Sequence, residues 1–354
     1  MQTYQDRPRA EEDRLDPRTR PYLYLSIRNL LLDEVTSHVE EDSPSVKRLA
    51  SRIRNEMAIY AMTKREPFSE VAGADAGSHV LPLASRRYAV ISALVYSMPS
   101  GSRFFLEPES FSFPYSAEGE RMKGVVNVLR EAKLYETACS FIEDDPGVQL
   151  ILVDGPLAFS NWWSMAGREA DRRRLIDAVR RLLGLCMEEG ITVAGVVKRP
   201  SARYLVYSLG LQRETELTDS FLMLHTLQPG ERTDIFSPRS AIRKAVKVSP
   251  FMDAIGHPIY SFYARLSREW SIPPMRIDLP AFCLGQLEDV ADYCHGSSFW
   301  EGIPLAIVRA DEEVRITRRF MGEVYRDIVG RVGRLSGEVS HLAPYWGEGR
   351  WMGA

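Results

Sequence analysis

Apolar positions along this chain alternate between two rhythms. Over 22–41 and 45–62 they recur at helical spacing, with Leu23, Leu25, Ile27, Leu30, Leu31 and Val35 on one broad face. Ser43-Pro44 between them predicts a break, and so a helical hairpin. From residue 71 the rhythm shortens. The stretches 71–75, 86–96 and 102–113 are rich in small, β-branched and aromatic residues, with Pro99-Ser100-Gly101 as a turn, which predicts three consecutive antiparallel strands. Helical spacing returns at 118–143, where Val125, Val126, Leu129, Leu134, Ala138, Phe141 and Ile142 form an inward face. A buried strand at 148–153, a helix at about 168–189 with Gly190 as its C-cap, and a strand at 191–197 follow.

The order β-β-β-α-β-α-β predicts an α/β protein, a mixed sheet flanked by helices. It is the element order of the ribonuclease H-like fold, and other mixed α/β folds share parts of it. Beyond Lys198 the pattern predicts helices at 201–211, 217–227 and 284–294, strands at 258–266 and 275–279, and mostly helix over 303–336. Three regions result: 1–66, a disordered start with the helical extension; 67–320, the main domain; and 321–354, a C-terminal helix and tail.

Composition narrows the class. With 354 residues, 45% hydrophobic and 26% charged, the chain can bury a large core. No apolar run is long enough to cross a bilayer, and the mixed-charge start is unlike a secretory signal, so no membrane association and a cytoplasmic location are expected. Cys139, Cys186, Cys283 and Cys294 lack metal-site spacing and read as buried thiols. A net charge of −3 is unlike that of a protein that coats DNA by bulk electrostatics. If nucleic acid is the substrate, positive charge is local or a partner delivers the strand.

Asp75 and Asp154 each close a short apolar stretch, VAGAD and LILVD, ahead of small residues. The pattern predicts two strands that stop on a carboxylate and turn sharply, with glycine beside the acid admitting a phosphate or metal. Glu136 lies between them on the 118–143 helix. Acids converging from three elements can hold one or two Mn2+ or Mg2+ ions, which prefer oxygen ligands. The plainer alternative is that the aspartates cap turns and Glu136 is one solvated charge. His79 is the histidine placed nearest this group, and Trp162-Trp163 could stack on bases. Arg172, Arg173, Arg243 and Lys244 belong to basic clusters that either contact phosphates or are solvated helix faces. No phosphate-binding loop of the GxxxxGK[ST] type occurs, so ATP hydrolysis would have to come from a partner.

At VAGADAGS (71–78), LYETA (134–138), LILVDGPL (150–157) and VVKRP (196–200) the chain resembles the NurA family of nucleases, which work beside the HerA hexameric translocase. TDSFLMLHTLQPGERT (218–233) and PPMRIDLPAF (273–282) resemble further family segments, with Asp278 where glutamate is usual. In the last segment Ile303 stands in place of a tyrosine and Asp311 in place of a histidine. The resemblance implies a ribonuclease H-like core in which Asp75, Glu136, Asp154 and Asp311 hold Mn2+ or Mg2+. Lys198-Arg199 stands where the family often has a lysine, which implies that Lys198 contacts the scissile phosphate or holds a carboxylate in position and that Arg199 beside it binds DNA. The resemblance also implies a homodimer acting on DNA with a HerA-like ring, in end processing, repair or antiviral defence. Two other readings stay open: a degenerate adaptor of the ring that no longer cuts, and another ribonuclease H-like nuclease such as a resolvase.

Overall fold

A computed structural model describes residues 21–116, 119–145, 147–159, 166–245, 250–335 and 337–343. The expected disordered start, Trp162-Trp163 and the end of the tail lie outside the described residues. The chain divides into two compact units, Met1–Ile53 and Arg54–Ala354. In the first, the expected hairpin is absent. Helix α1, Pro21–Glu56, runs through Pro44 without stopping. Proline removes one backbone donor and crowds the preceding turn, which a long helix can absorb.

The second unit is built on one sheet. Its strands are β1 (Ile59–Ala61), β2 (Val71–Pro82), β3 (Arg87–Met98), β4 (Arg103–Phe105), β5 (Glu109–Phe113), β6 (Leu150–Val153), β7 (Thr192–Val197), β8 (Glu231–Thr233), β9 (Ile259–Ala264) and β10 (Met275–Pro280). They lie in the order β1-β8-β9-β10-β7-β6-β2-β3-β4, with β5 also on β3. Strand β3 pairs antiparallel with β2 on one side and with β4 and β5 on the other, while β6 joins β2, and β7 joins β6, in parallel. Three antiparallel strands followed by two parallel ones beside the first is the ribonuclease H-like arrangement. Antiparallel β10 and β9 then extend the sheet beyond β7.

Helices α2 (Gly119–Asp144) and α3 (Glu169–Glu189) follow β5 and β6. Gly190 ends α3 in the left-handed conformation, φ 69°, as expected of a C-cap. Among the described residues, short helices α4 (Tyr204–Ser208), α5 (Asp219–Thr226), α6 (Pro238–Ala245) and α7 (Pro250–Ala254) lie between the later strands, and α8 (Leu287–Ser297) follows β10. Helices α9 (Leu305–Val314) and α10 (Arg318–Leu335) close the chain. Side chains alternate across the sheet. Ala89 and Ile91 of β3 pack on Met122, Val125, Val126 and Leu129 of α2, whereas Leu94 packs on Ala310 and Val314 of α9. So α2 and α9 cover opposite faces.

One strand departs from expectation in a way that matters. The first strand does not stop at Asp75. It continues to Pro82, paired with β3 throughout, so Asp75 sits inside it. What stops is its other neighbour: β6 pairs with β2 only from Val71 to Ala74. Asp75 is thus the first residue of β2 with no strand on that side.

Candidate metal centre

The opening beside Asp75 is filled by the turn after β6. The Asp154 backbone N–H donates to the Ala74 carbonyl at 2.8 Å, which fixes the second aspartate next to the first. The turn then folds back over β7. A Cβ on Gly195 would lie 2.7 Å from the Gly155 oxygen and 2.9 Å from the Leu157 nitrogen, so only glycine leaves room. Tyr135 of α2 donates its hydroxyl to the Pro156 carbonyl at 2.6 Å. From the far side, Asp278 of β10 accepts the N–H groups of Leu157 and Ala158 at 3.1 and 2.9 Å. Arg276 and the Ser261 hydroxyl satisfy the rest of that fully buried carboxylate.

Asp278 therefore holds the turn that carries Asp154. Truncating it would leave two backbone donors buried without their acceptor and the buried Arg276 guanidinium without its carboxylate, holding the Ala158 carbonyl at 3.2 Å, a loss of about 3–5 kcal/mol. Asp278→Ala should show that loss in urea unfolding, and an unchanged midpoint would refute the anchoring role.

The third aspartate arrives on α9, which crosses β2 at very close range. Ideal Cβ atoms on Gly73 and Gly77 would lie 2.1 Å from the Ala306 oxygen and 2.7 Å from the Val314 oxygen. Asp75 lies between these glycines on the same face. One oxygen each from Asp75, Asp154 and Asp311 come within 4.8 Å of one another. They line a cavity of about 210 Å³ together with Ala76, Arg130, Glu131 and Leu134.

The charges in this cavity are poorly compensated. Burial, reinforced by Asp154 and opposed by Lys198, pushes the Asp75 carboxyl up to about 8. Lys198, one residue past β7, bonds Asp154 at 2.6 Å and lies 3.6 Å from Asp311. Burial alone would lower its pKa, but Asp154, Asp75 and Asp311 together raise it. Burial also raises Glu131, against the pull of Arg130. Glu131 Oε2 is buried and has no hydrogen-bond partner among the described residues. Clustered carboxylates that repel one another, one of them with an idle oxygen, are the oxygen donor set that hard divalent cations take. The residues fit such an ion.

A family model for the NurA domain matches residues 69–316, more than half of the sequence. The chain belongs to the NurA family. Its fold is similar to a crystal structure of the NurA nuclease from Sulfolobus solfataricus, with TM-score 0.62, 15% identity, and coverage of 87% of this chain and 97% of that one. It is also similar to a crystal structure of NurA with manganese, with TM-score 0.54, 11% identity, and coverage of 88% and 98%. No curated protein matches the sequence.

Within this NurA domain the structure brings Asp75, Asp154, Asp311 and Lys198 together. Glu136 lies elsewhere. Its two oxygens bond Arg174 of α3 at 2.7 Å each, and Arg174 also bonds Glu109. The carboxylate of α2 at the cavity is Glu131, five residues earlier, which at about 100° per residue is rotated by roughly 140°. Arg130 beside it is a second residue that the motif reading missed.

The basic candidates have various settings. Arg172 donates to the carbonyls of Ala166 and Gly167, and Arg173 pairs with Glu169. Arg199 is exposed beside Lys198. Arg243 and Lys244 are on α6, with side chains outside the described set. His79 shares the face of Asp75, but burial and Arg318 depress its pKa, and it does not line the cavity. The four cysteines are buried free thiols. Among the described residues no helix is long and apolar enough to cross a membrane.

Proposed function

We propose that this protein is a metal-dependent nuclease that hydrolyses phosphodiester bonds of DNA. The observation that carries the reading is the convergence of Asp75, Asp154 and Asp311 at the open end of β6. Glu131 joins them as the fourth carboxylate, in the place where the motif reading put Glu136. Bound Mn2+ or Mg2+ would neutralise charge on the phosphodiester and activate it toward water. The protein's own part is geometric. Backbone hydrogen bonds fix Asp154, close packing of α9 fixes Asp311, and Lys198 keeps a positive charge between the two until substrate and metal arrive.

Family membership supports a working partnership with a HerA-like ATPase ring and a homodimeric state. With a net charge of −3, the chain fits a scheme in which a motor delivers the strand. DNA end processing, repair or defence against foreign DNA is the setting that follows.

The test is cleavage of labelled linear and circular DNA in Mn2+ and Mg2+, with and without the neighbouring ATPase. Wild-type protein should cut. Glu131→Gln should lose activity by roughly a hundred-fold or more, while Glu136→Gln should cut normally and lose only a partly exposed ion pair. No cleavage with any metal, combined with binding to the ring, would replace the nuclease by an adaptor. The reverse ranking of the two glutamates would restore Glu136 to the site.

A further inference from the structure

Arg130 is the cation that lines the aspartate cavity, and nothing described so far uses it. Its setting differs from that of arginines closed into multidentate acid pairs, such as Arg174 and Arg276. Arg174 spends Nε, Nη1 and Nη2 on four bonds to Glu109 and Glu136, and Arg276 grips both oxygens of Asp278. These are closed, multidentate pairs of the kind that serve structure. Among the described residues the Arg130 side chain makes one hydrogen bond, Nη2 to Glu131 Oε1 at 2.8 Å. The other Glu131 oxygen is left without a partner. A guanidinium has five N–H donors in a planar fork, so most of the donors on Arg130 have no protein acceptor among the described residues.

Accessibility points the same way. The Arg130 side chain is 35% exposed, against 23% for Lys198, although both stand at the carboxylates. Lys198 is taken up by Asp154 and Asp311. Arg130 lines the cavity together with Asp75, Asp154 and Glu131, and their negative charges raise its pKa against burial. An anionic phosphodiester approaching four carboxylates needs a fixed cation at the entrance. A planar fork with free donors matches two phosphate oxygens better than a lysine ammonium does.

We propose that Arg130 is a substrate-binding residue whose guanidinium grips a non-bridging oxygen of the phosphodiester at the Asp75–Asp154–Asp311 site. The assignment rests on the nuclease reading above. Glu131 then has two tasks on its two oxygens: Oε1 orients Arg130, and Oε2 remains available to the metal.

The experiment measures binding of a short single-stranded DNA in Ca2+, which occupies oxygen sites without supporting turnover, for wild type, Arg130→Gln and Arg130→Lys. Each is measured on the normal strand and on one with an uncharged methylphosphonate at the cleavage position. Mn2+ affinity and melting temperature are recorded for each protein. Arg130→Gln should bind the normal strand about ten- to hundred-fold more weakly, the range of one charge-assisted contact. Arg130→Lys should fall between the two. The methylphosphonate should weaken wild type strongly and Arg130→Gln little, because the two changes remove the same interaction.

Equal, additive effects of the methylphosphonate on wild type and Arg130→Gln would overturn the proposal. So would a loss of Mn2+ affinity in Arg130→Gln as large as that in Glu131→Gln, which would reduce Arg130 to a support for Glu131. If wild type cuts DNA in Mn2+ and Arg130→Gln binds and cuts equally well, this proposal alone falls. If wild type neither binds Mn2+ nor cuts, the nuclease reading falls and takes this one with it.

Discussion

Asp75→Asn should abolish Mn2+-dependent cleavage and, in the metal-free protein near pH 8, raise the melting temperature. The two effects share one cause. Asp75 is buried against Asp154, and its carboxyl is pushed up to about 8 from an ordinary value of 3.8. The unfolded chain releases this proton as pH passes about 4. The folded protein holds it until about 8. A group whose folded pKa is raised contributes its stability fully at low pH and loses it as pH rises through the folded value.

Between these limits each pH unit is worth about 1.4 kcal/mol. The full span is shared with Asp154 and Lys198, which readjust when Asp75 is neutral, so about 2–3 kcal/mol is a fair expectation for the substitution. In a domain of this size that is roughly 3–5 °C. Near pH 4 the two proteins should melt together. Added Mn2+ should stabilise wild type and have little effect on Asp75→Asn, while cleavage falls by roughly a thousand-fold or more. A variant that melts below wild type at pH 8, or one that still cuts, would contradict the electrostatics of the cavity.

How much of this was legible in the sequence depends on the range of the interactions that decide each feature. The β-β-β-α-β-α-β order was readable because buried strands and helices carry their own apolar periodicity, and Gly190 announced the end of α3. The interior of β2 was not. Gly-Ala-Asp-Ala-Gly has the composition of a turn, but its two glycines answer to a helix more than 200 residues later in the chain. Local composition cannot report that contact.

The two glutamates of α2 teach a different lesson. Spacing and motif resemblance favoured Glu136, while the helix phase points to Glu131, the acid of α2 that lines the cavity. Glu131 falls on the same stripe as Val128, Ala132 and Tyr135, all buried, and is itself only 3% exposed. An acid inside an apolar stripe costs too much to be idle, and that marks a functional candidate without any structure. Asp278 is readable in the same way, as an acid within the buried run of β10, but its role as the anchor of the Asp154 turn required the fold.

The close passage of α9 over β2 supplies the other large effect. The site exists because a helix bearing Asp311 lies nearly backbone to backbone on the strand bearing Asp75. Gly73→Ala would put a Cβ 2.1 Å from the Ala306 oxygen and 2.3 Å from its carbonyl carbon. No side chain can swing aside to relieve this, since the obstruction is main chain, so α9 must lift by more than an ångström. Overpacking of this kind costs about 3 kcal/mol or more. Gly77→Ala, at 2.7 Å from the Val314 oxygen near the end of the helix, should cost less. Gly184→Ala, inside α3 with nothing within 4 Å, should instead stabilise by about 0.5–1 kcal/mol through helix propensity.

That ranking across three chemically identical substitutions is read from urea midpoints. The same lift should loosen Asp311 from its partners, so the folded fraction of Gly73→Ala should bind Mn2+ more weakly although every carboxylate is still present. Gly73→Ala with wild-type stability and wild-type Mn2+ affinity would mean that α9 does not pack on β2 in this way. The convergence of the three aspartates, which depends on that packing, would then have to be abandoned.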